Sequence, residues 1–187
     1  YECMKAVSGT GISFVILDRP NPIGGSRVEG PILEEGYESF VGTYAIPIRY
    51  GMTAGELAML LKGETGLELD LKVLPVKGWS RDQDFSAYGG DWINPSPNMP
   101  GYKTALVYPG FCLIEGTSLS EGRGTTRPFE YLGAPWIDSR TLAGRLNGLN
   151  LPGVWFRPQM FTPSFSKHQG EACGGIQVHV TDAEVFQ

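Results

Sequence analysis

Ser13-Phe-Val-Ile-Leu17 is the stretch of sequence that decides the fold class of this chain. The run is short, β-branched and almost entirely apolar, and it lies between Gly11 and Asp18-Arg-Pro. Such a run predicts a strand buried on both faces of a parallel sheet. Residues 2–7 before it are typical of the end of a helix. The order of helix, turn and buried strand indicates an α/β fold.

The following segments extend this pattern. Thr53-Ala-Gly-Glu56 has the spacing of a capping box, in which the Thr hydroxyl and the Glu carboxylate bond free amides of a first helical turn. We therefore predict a helix from there to about Lys62, and Leu69–Val76 predicts a second strand of the same sheet. Strand, helix and strand in succession again favour α/β.

The second half of the chain predicts a long ordered loop and a mixture of helix and strands. Residues 77–103 combine Trp and Tyr with Pro and Gly and show no sustained period, which indicates the loop. We predict a strand over 104–114, a helix over 139–149, and closing strands over 153–161 and 175–180. A boundary near Gly133 would separate the glycine-rich loops from the helix and strands that follow.

Composition limits the function classes. The 187 residues include 26 Gly and 14 Pro, which is typical of a globular protein with many ordered loops. A net charge of -5 and no run of basic residues argue against a nucleic-acid partner. The longest apolar stretches, 12–17 and 105–114, are too short to span a bilayer. The chain opens with Tyr1 and has no signal-peptide pattern, so we expect that processing or truncation removed what came before.

Metal, nucleotide and serine-hydrolase signatures are missing from the sequence. Cys3, Cys112 and Cys173 form no CxxC pair, and the two histidines do not have zinc-site spacing around Cys173. Ser118-Leu-Ser-Glu-Gly122 departs from the G-x-S-x-G elbow at its first position. The glycines of Gly122-Arg-Gly124 make neither a P-loop nor a Rossmann fingerprint. We expect neither a metal nor another cofactor.

Two polar loops follow predicted strands and are the candidate binding segments. Asp18 and Asn21 lie directly after the first strand, where open α/β sheets form their ligand crevice, although a rigid turn capped by Asp18 explains the same residues equally well. Residues 113–127 hold Glu115, Glu121, Arg123 and Arg127, a set that could bind a polyhydroxylated or anionic group. The alternative is a loop held by Glu/Arg ion pairs; we favour binding because so many polar groups converge.

A third segment offers aromatic rings. Trp79, Trp92 and Tyr102 flank the Asn94–Pro100 stretch, which contains Asn98. Aromatic faces stack on sugars and Asn side chains bond hydroxyl or acetamido groups, so the pattern is compatible with a saccharide cleft. Buried core aromatics are the more common explanation.

Ten sequence blocks together carry a resemblance to a known family. They are Leu17-Asp-Arg-Pro-Asn-Pro-Ile-Gly-Gly25, Val28-Glu-Gly-Pro31, Ser39-Phe-Val-Gly42, Gly51-Met-Thr-Ala-Gly-Glu-Leu-Ala58, Pro95-Ser-Pro-Asn-Met-Pro100, Tyr108-Pro-Gly110, Glu115-Gly-Thr117, Ser120-Glu-Gly-Arg-Gly-Thr125, Arg127-Pro-Phe129 and Gly133-Ala-Pro-Trp-Ile137. In order and content they resemble the exo-β-N-acetylmuramidase family, long described as a domain of unknown function. The resemblance extends to the Gly175–Thr181 strand.

The resemblance implies a fold and an activity. Members are longer, exported bacterial proteins with a Rossmann-like domain and an auxiliary domain, and they release terminal N-acetylmuramic acid from peptidoglycan fragments. It implies a partial Rossmann-like α/β domain with a mostly parallel sheet over residues 1–132, its C-terminal half. Residues 133–187 would begin a smaller α+β auxiliary region.

The implied function is a glycoside hydrolase of cell-wall turnover and recycling, located extracellularly or in the periplasm. Its partner would be a peptidoglycan-derived saccharide or muropeptide. The alternative is a non-catalytic peptidoglycan-binding or saccharide-binding module. It is motivated by the absence of the family's Pro-Glu-His-Gly and Asp-x-Gln-Asp segments, and by Tyr50, which stands where members usually carry His. Because of the missing segments, activity of the chain alone is uncertain.

The resemblance also suggests roles for the candidate residues. A glycosidase normally needs a carboxylic acid and a second group at the anomeric carbon. The candidate carboxylates are Glu115 and Glu121, with Arg123 and Arg127 as binders of the lactyl carboxylate and Asp18, Asn21 and Asn98 as further substrate contacts.

Overall fold

The computed structural model describes residues 1–88 and 90–186, which form two compact units. The N-terminal unit comprises Tyr1–Gly90 and the C-terminal unit Asp91–Gln187. The division falls earlier than the boundary between residues 132 and 133 that the sequence suggests. The assignment of 1–132 and 133–187 to two functional domains stays a prediction.

The N-terminal unit contains three helices and four strands among its described residues. In chain order they are α1 Glu2–Val7, β1 Ser13–Leu17, β2 Glu29–Ile32, β3 Pro47–Arg49, α2 Ala54–Thr65, β4 Asp70–Leu74 and α3 Phe85–Tyr88. Strands β1 and β4 pair in parallel, with Ser13 opposite Asp70 and Leu17 opposite Leu74. Strands β2 and β3 form a separate antiparallel pair.

Helix α2 links the two parallel strands and begins at the predicted capping box. The Thr53 side chain accepts from the Glu56 amide, and the Glu56 carboxylate accepts from the Thr53 amide. Gly66 ends the helix in the left-handed conformation, φ 65°, which glycine adopts without strain. Ala58 and Leu61 are buried in a cluster with Met4 and Leu69. The predicted strand, helix and strand are confirmed.

The parallel pair is buried on one face. Phe14 and Ile16 pack against the core cluster, whereas Val15, Leu17 and Leu74 are 52%, 73% and 51% exposed. The prediction that the first strand is buried on both faces is therefore wrong for this structure. A continuous apolar run fixes the residues on each face, but it does not place a second layer of structure over them.

In its described residues, the C-terminal unit packs two helices against a three-stranded sheet. Its elements are α4 Tyr102–Phe111, a 3-10 turn Cys112–Gly116, β5 Tyr131–Ala134, α5 Ser139–Asn147, β6 Val154–Phe161 and β7 Cys173–Val180. The strand order is β5-β7-β6, and both pairings are antiparallel. Ile176 and Val178 of the central strand lie in the core with Phe156 and Ala143.

Residues 102–111 are helical, so the strand predicted over 104–114 is wrong. Thr104 and Val107 are buried, and Tyr108 and Phe111 pack against the core beside Val107. This spacing of three and four residues places one helical face on the sheet. Pro109 lies in the last turn of α4, after which the chain continues as the 3-10 turn. The predicted helix over 139–149 and both closing strands are confirmed.

Three glycines let β7 lie close to β5 and to the turn that follows it. A Cβ atom on Gly175 would overlap the carbonyl oxygen of Leu132, and one on Gly133 would overlap that of Gly174. A Cβ on Gly174 would meet the carbonyl oxygen of Ile137. The atoms in conflict are backbone atoms, so the central strand pairing depends on the absence of side chains at these positions.

The structure confirms the α/β class but contains less parallel sheet than the sequence suggests. Parallel pairing is confined, among the described strands, to β1 and β4, and the other pairs are antiparallel. Within residues 1–88 and 90–186, no helix has the length and apolar character needed to cross a membrane.

Candidate functional site

The carboxylate of Asp18 joins the end of β1 to the start of α2. Its Oδ2 atom accepts from Thr53 Oγ1 at 2.6 Å, and Oδ1 accepts from the Gly55 amide at 2.8 Å. The residue therefore satisfies amide and hydroxyl donors at a helix N-terminus, where a negative charge is also stabilised by the helix dipole. This geometry supports the rigid-turn interpretation of Asp18.

Asn21 fixes the next turn of the same loop. Its Nδ2 atom donates to the Met52 carbonyl at 3.0 Å, and Oδ1 accepts from the Ile23 amide at 3.1 Å. Asp18 and Asn21 thus belong to one hydrogen-bonded loop in the N-terminal unit. Their role in substrate binding stays a prediction.

Asp18→Ala tests the structural role of this loop. Loss of the bonds to Thr53 and Gly55 is expected to lower the free energy of unfolding of the N-terminal unit by about 1–2 kcal/mol. Hydrogen exchange of the α2 amides, followed in urea, measures this change for that helix. Glu35→Ala, at an exposed position of the same unit, is the matched control. Unchanged protection of α2 in Asp18→Ala would contradict the structural role.

Glu115, Glu121 and Arg123 come together in the C-terminal unit, as the sequence suggests. Arg123 donates from Nη2 to Glu115 Oε1 at 2.8 Å, and its Nε lies 3.3 Å from Glu121 Oε1. The Glu121 side chain is only 2% exposed, whereas that of Glu115 is 41% exposed. The polar loop is therefore held at least in part by Glu/Arg ion pairs.

Lys167 completes this ion-pair cluster from the segment between β6 and β7. Its Nζ lies 3.2 Å from Glu121 Oε2 and donates to the carbonyls of Ile114, Glu115 and Leu119 at 2.9–3.2 Å. Glu121 Oε2 has no hydrogen-bond partner by geometry among the described residues, so Lys167 stabilises it through charge. No local sequence pattern marks Lys167, because its partners are distant in the chain.

Phe129 lies under the cluster in an unusual backbone conformation. Its φ is 61° and its side chain is 1% exposed. The Arg123 guanidinium lies 5.0 Å from the ring centroid, and the Tyr108 ring meets it edge-on at 4.7 Å. A buried aromatic residue with positive φ is held there by its surroundings, at a cost of roughly 1–3 kcal/mol. The loop is therefore rigidly tied to the core.

Arg127 lies at a separate cavity of the C-terminal unit. This cationic cavity has a volume of about 220 Å³ and is lined by Lys103, Arg127, Glu130, Gln177 and His179, with Val107, Val178 and Val180. Glu130 is 5% exposed and accepts from Thr104 Oγ1 at 2.7 Å through Oε1. Its Oε2 lies 3.5 Å from Arg127 Nη1. Both oxygens of the Glu130 carboxylate are thus engaged.

His179 and Gln177 lie on neighbouring alternate positions of β7. Burial lowers the pKa of His179, and the nearby Arg157 lowers it further. The His179 Nε2 atom is buried without a hydrogen-bond partner among the described residues. Gln177 Oε1 accepts from Arg157 Nη2 at 2.6 Å. Period-2 alternation of the predicted strand was the sequence signal that could have placed these two side chains together.

Asn98 and Trp92 share a loop of the C-terminal unit. Asn98 is half-buried, and its backbone amide donates to Ser96 Oγ at 3.4 Å. Trp92 donates from Nε1 to the Met99 carbonyl at 2.9 Å and so fixes the loop that contains Asn98. Trp79 belongs to the N-terminal unit. The saccharide cleft suggested by these residues stays a prediction.

Two family models together match nearly the whole chain. Residues 1–103 match the model for the N-terminal region of exo-β-N-acetylmuramidase NamZ, and residues 106–187 match the model for its C-terminal region. The protein therefore belongs to the exo-β-N-acetylmuramidase NamZ family. In the part of the chain that the structure describes, no group of three His, Cys, Asp or Glu side chains could hold a metal ion.

Individual relatives agree with this assignment. The chain is 54% identical over 184 residues to the peptidoglycan β-N-acetylmuramidase NamZ of Bacillus subtilis strain 168, covering 98% of this chain and 44% of that protein. It superposes on a DUF1343 family protein of Bacteroides fragilis with a TM-score of 0.91 and 41% identity, and on a second one with 0.75 and 35%. These matches cover 98% and 97% of this chain, and 49% and 48% of the respective structures. The chain spans less than half the length of these relatives.

Proposed function

We propose that this chain contributes to a glycoside hydrolase that releases terminal N-acetylmuramic acid from peptidoglycan fragments. The observation that carries the proposal is the 54% identity to the B. subtilis peptidoglycan β-N-acetylmuramidase across 98% of the chain. Identity spread over both family regions supports a shared activity more than a general saccharide-binding role. The enzymatic function is therefore preferred to the non-catalytic binding module.

The biological setting is part of the same proposal. A hydrolase of this kind would act in cell-wall turnover and recycling, on a muropeptide or short glycan with a muramic acid at its non-reducing end. We place it outside the cytoplasm, in the periplasm or extracellular space, because peptidoglycan lies there. Family membership is the support for this placement.

The two carboxylates of the ion-pair cluster differ in what they could do. A general acid or base must reach the bond that it protonates or the water that it activates. Glu115 meets this requirement better, because its side chain is 41% exposed, whereas Glu121 is buried between Arg123 and Lys167. We propose Glu115 as the carboxylate of this pair that can meet a substrate, with Glu121 acting through the position of Arg123.

Hydrolysis of a chromogenic β-N-acetylmuramide tests the function. We expect release of muramic acid by a longer form of the protein that extends to the length of the B. subtilis relative, and no hydrolysis of the matching β-N-acetylglucosaminide. If Glu115 takes part in proton transfer, Glu115→Gln in that form lowers kcat by about 100-fold or more. Glu35→Gln, at an exposed position, is the control. An inactive longer form with intact folding would reject the glycosidase.

A further inference from the structure

We propose that the cationic cavity of the C-terminal unit binds the carboxylate of an acidic sugar, with Lys103, Arg127, Gln177 and His179 as its ligands. The inference rests on the proposed function for the identity of the sugar, N-acetylmuramic acid. Its carboxylate is carried on a lactyl arm that N-acetylglucosamine lacks. The cavity would therefore be the element that separates these two sugars.

Charge is the first support. Lys103 and Arg127 both line the cavity, and Glu130 is the one carboxylate among the described residues of the lining. Glu130 is already paired with Arg127 and hydrogen-bonded by Thr104. Arg157 adds a third cation next to Gln177. The cavity and its border thus carry more positive than negative charge, which favours an anionic ligand.

The pattern of free hydrogen-bonding groups is the second support. An arginine side chain can only donate, so the 2.6 Å contact with Arg157 fixes the oxygen of Gln177 on that side. The side-chain NH2 group of Gln177 is then the group that can donate to a ligand in the cavity. Lys103 and Arg127 are also donors only, and the oxygens of Glu130 are occupied. A ligand that only accepts hydrogen bonds, such as a carboxylate, complements this set.

His179 supplies an unsatisfied group in the same lining. Its Nε2 atom is buried without a partner among the described residues. The charged groups around the ring are Arg157 on β6, Lys103 on α4, and Arg127 and Glu130 from the loop before β5; the Trp155 ring lies 5.7 Å away. Buried polar atoms usually have a partner, so the orphaned ring nitrogen marks a place for a ligand atom. A carboxylate oxygen fills it when Nε2 carries the ring proton and donates.

The size of the cavity defines which part of the ligand enters. A volume of about 220 Å³ is smaller than the roughly 300–1,000 Å³ of pockets that enclose whole drug-sized ligands. It suits a carboxylate on a short arm, with the sugar ring remaining outside. The valines of the lining, Val107, Val178 and Val180, offer apolar contact for a methyl group on that arm.

Arg127 is better placed than Arg123 to bind the carboxylate of the sugar. Arg123 is committed to Glu115 and Glu121 and covers the Phe129 ring. Arg127 has one long ion pair, and its side chain is 51% exposed. It can turn toward a ligand without breaking the ion-pair cluster.

Proton NMR of the two histidines provides a direct test on the 187-residue chain. We expect N-acetylmuramic acid to shift the His179 ring resonances and to raise the pKa of His179, because a bound carboxylate offsets the surrounding cations. His168 should not respond. N-acetylglucosamine and the methyl ester of N-acetylmuramic acid, which lack the negative charge, should leave His179 unchanged. Arg127→Ala should weaken binding at least about 10-fold, as loss of a charged hydrogen bond does.

A control variant and other ligands distinguish binding of the sugar carboxylate from binding of any anion. Arg140→Ala, an exposed arginine at the start of α5, should bind N-acetylmuramic acid like the parent chain. A His179 response to the methyl ester equal to that of the acid would overturn the carboxylate assignment. A response to inorganic phosphate with none to N-acetylmuramic acid would show an anion site for a different ligand and overturn the sugar assignment. Carboxylate-dependent binding by the chain, beside an inactive longer form, would reject the hydrolase while supporting the cavity.

Discussion

Gly175→Ala is expected to lower the free energy of unfolding of the C-terminal unit by about 3 kcal/mol or more, the upper end of typical overpacking costs. The new methyl group would overlap the Leu132 carbonyl and crowd the Gly133 Cα. Both are backbone atoms of the neighbouring strand, so β5 and β7 must separate to admit it. Urea unfolding combined with hydrogen exchange of the β7 amides measures the loss.

Gly144→Ala is the matched control for this substitution. Gly144 lies within α5 of the same unit, and a Cβ atom there would meet no heavy atom within 4 Å. Alanine favours a helix over glycine by up to about 1 kcal/mol, so this variant should be slightly more stable than the parent chain. Equal stabilities for Gly175→Ala and Gly144→Ala would show that β5 can move away from Gly175 at little cost in free energy.

Lys167→Met is expected to destabilise the C-terminal unit by about 2–4 kcal/mol, because it removes one of the two cations that compensate the buried Glu121 carboxylate. Glu121 is almost fully buried and would keep only Arg123. The carbonyls of Ile114, Glu115 and Leu119 would also lose the donor that they share. Urea unfolding measures the change in free energy.

A double-mutant cycle identifies the cause of that loss. If the buried charge is responsible, Glu121→Gln combined with Lys167→Met should be less destabilised than Lys167→Met alone. Lys103→Met, which removes an exposed lysine of the same unit, should change stability by less than about 1 kcal/mol. Strictly additive effects of the Glu121 and Lys167 substitutions would contradict electrostatic coupling between these side chains.

Local sequence rules were sufficient for much of the fold. The capping box at Thr53 and the strands on either side of α2 depend on neighbouring residues, and the structure has them as predicted. The segment over 104–114 was harder, because Val, Leu, Tyr and Phe suit a strand as well as a buried helix. In the structure Val107 and Phe111 pack in the core with the sheet residues Ile176 and Val178, and Thr104 is buried, as on one face of a helix.

The candidate site shows where a single sequence stops being informative. The loop that contains Glu115, Glu121 and Arg123 was visible because its polar residues are close in the chain. Lys167 approaches the same carboxylate from far along the sequence, and only the fold shows this. Lys103 and His179, likewise, meet at one cavity from α4 and β7. No periodicity links such residues before the topology is known.

Phe129 leaves this loop little freedom to evolve one residue at a time. The backbone at φ 61° suits glycine, whereas the space between Arg123 and Tyr108 requires an aromatic ring. Glycine at this position would suit the backbone but leave a void where the ring packs. A β-branched side chain would fill part of that space but is strongly disfavoured at a positive φ. We therefore expect single substitutions of Phe129 to be poorly tolerated.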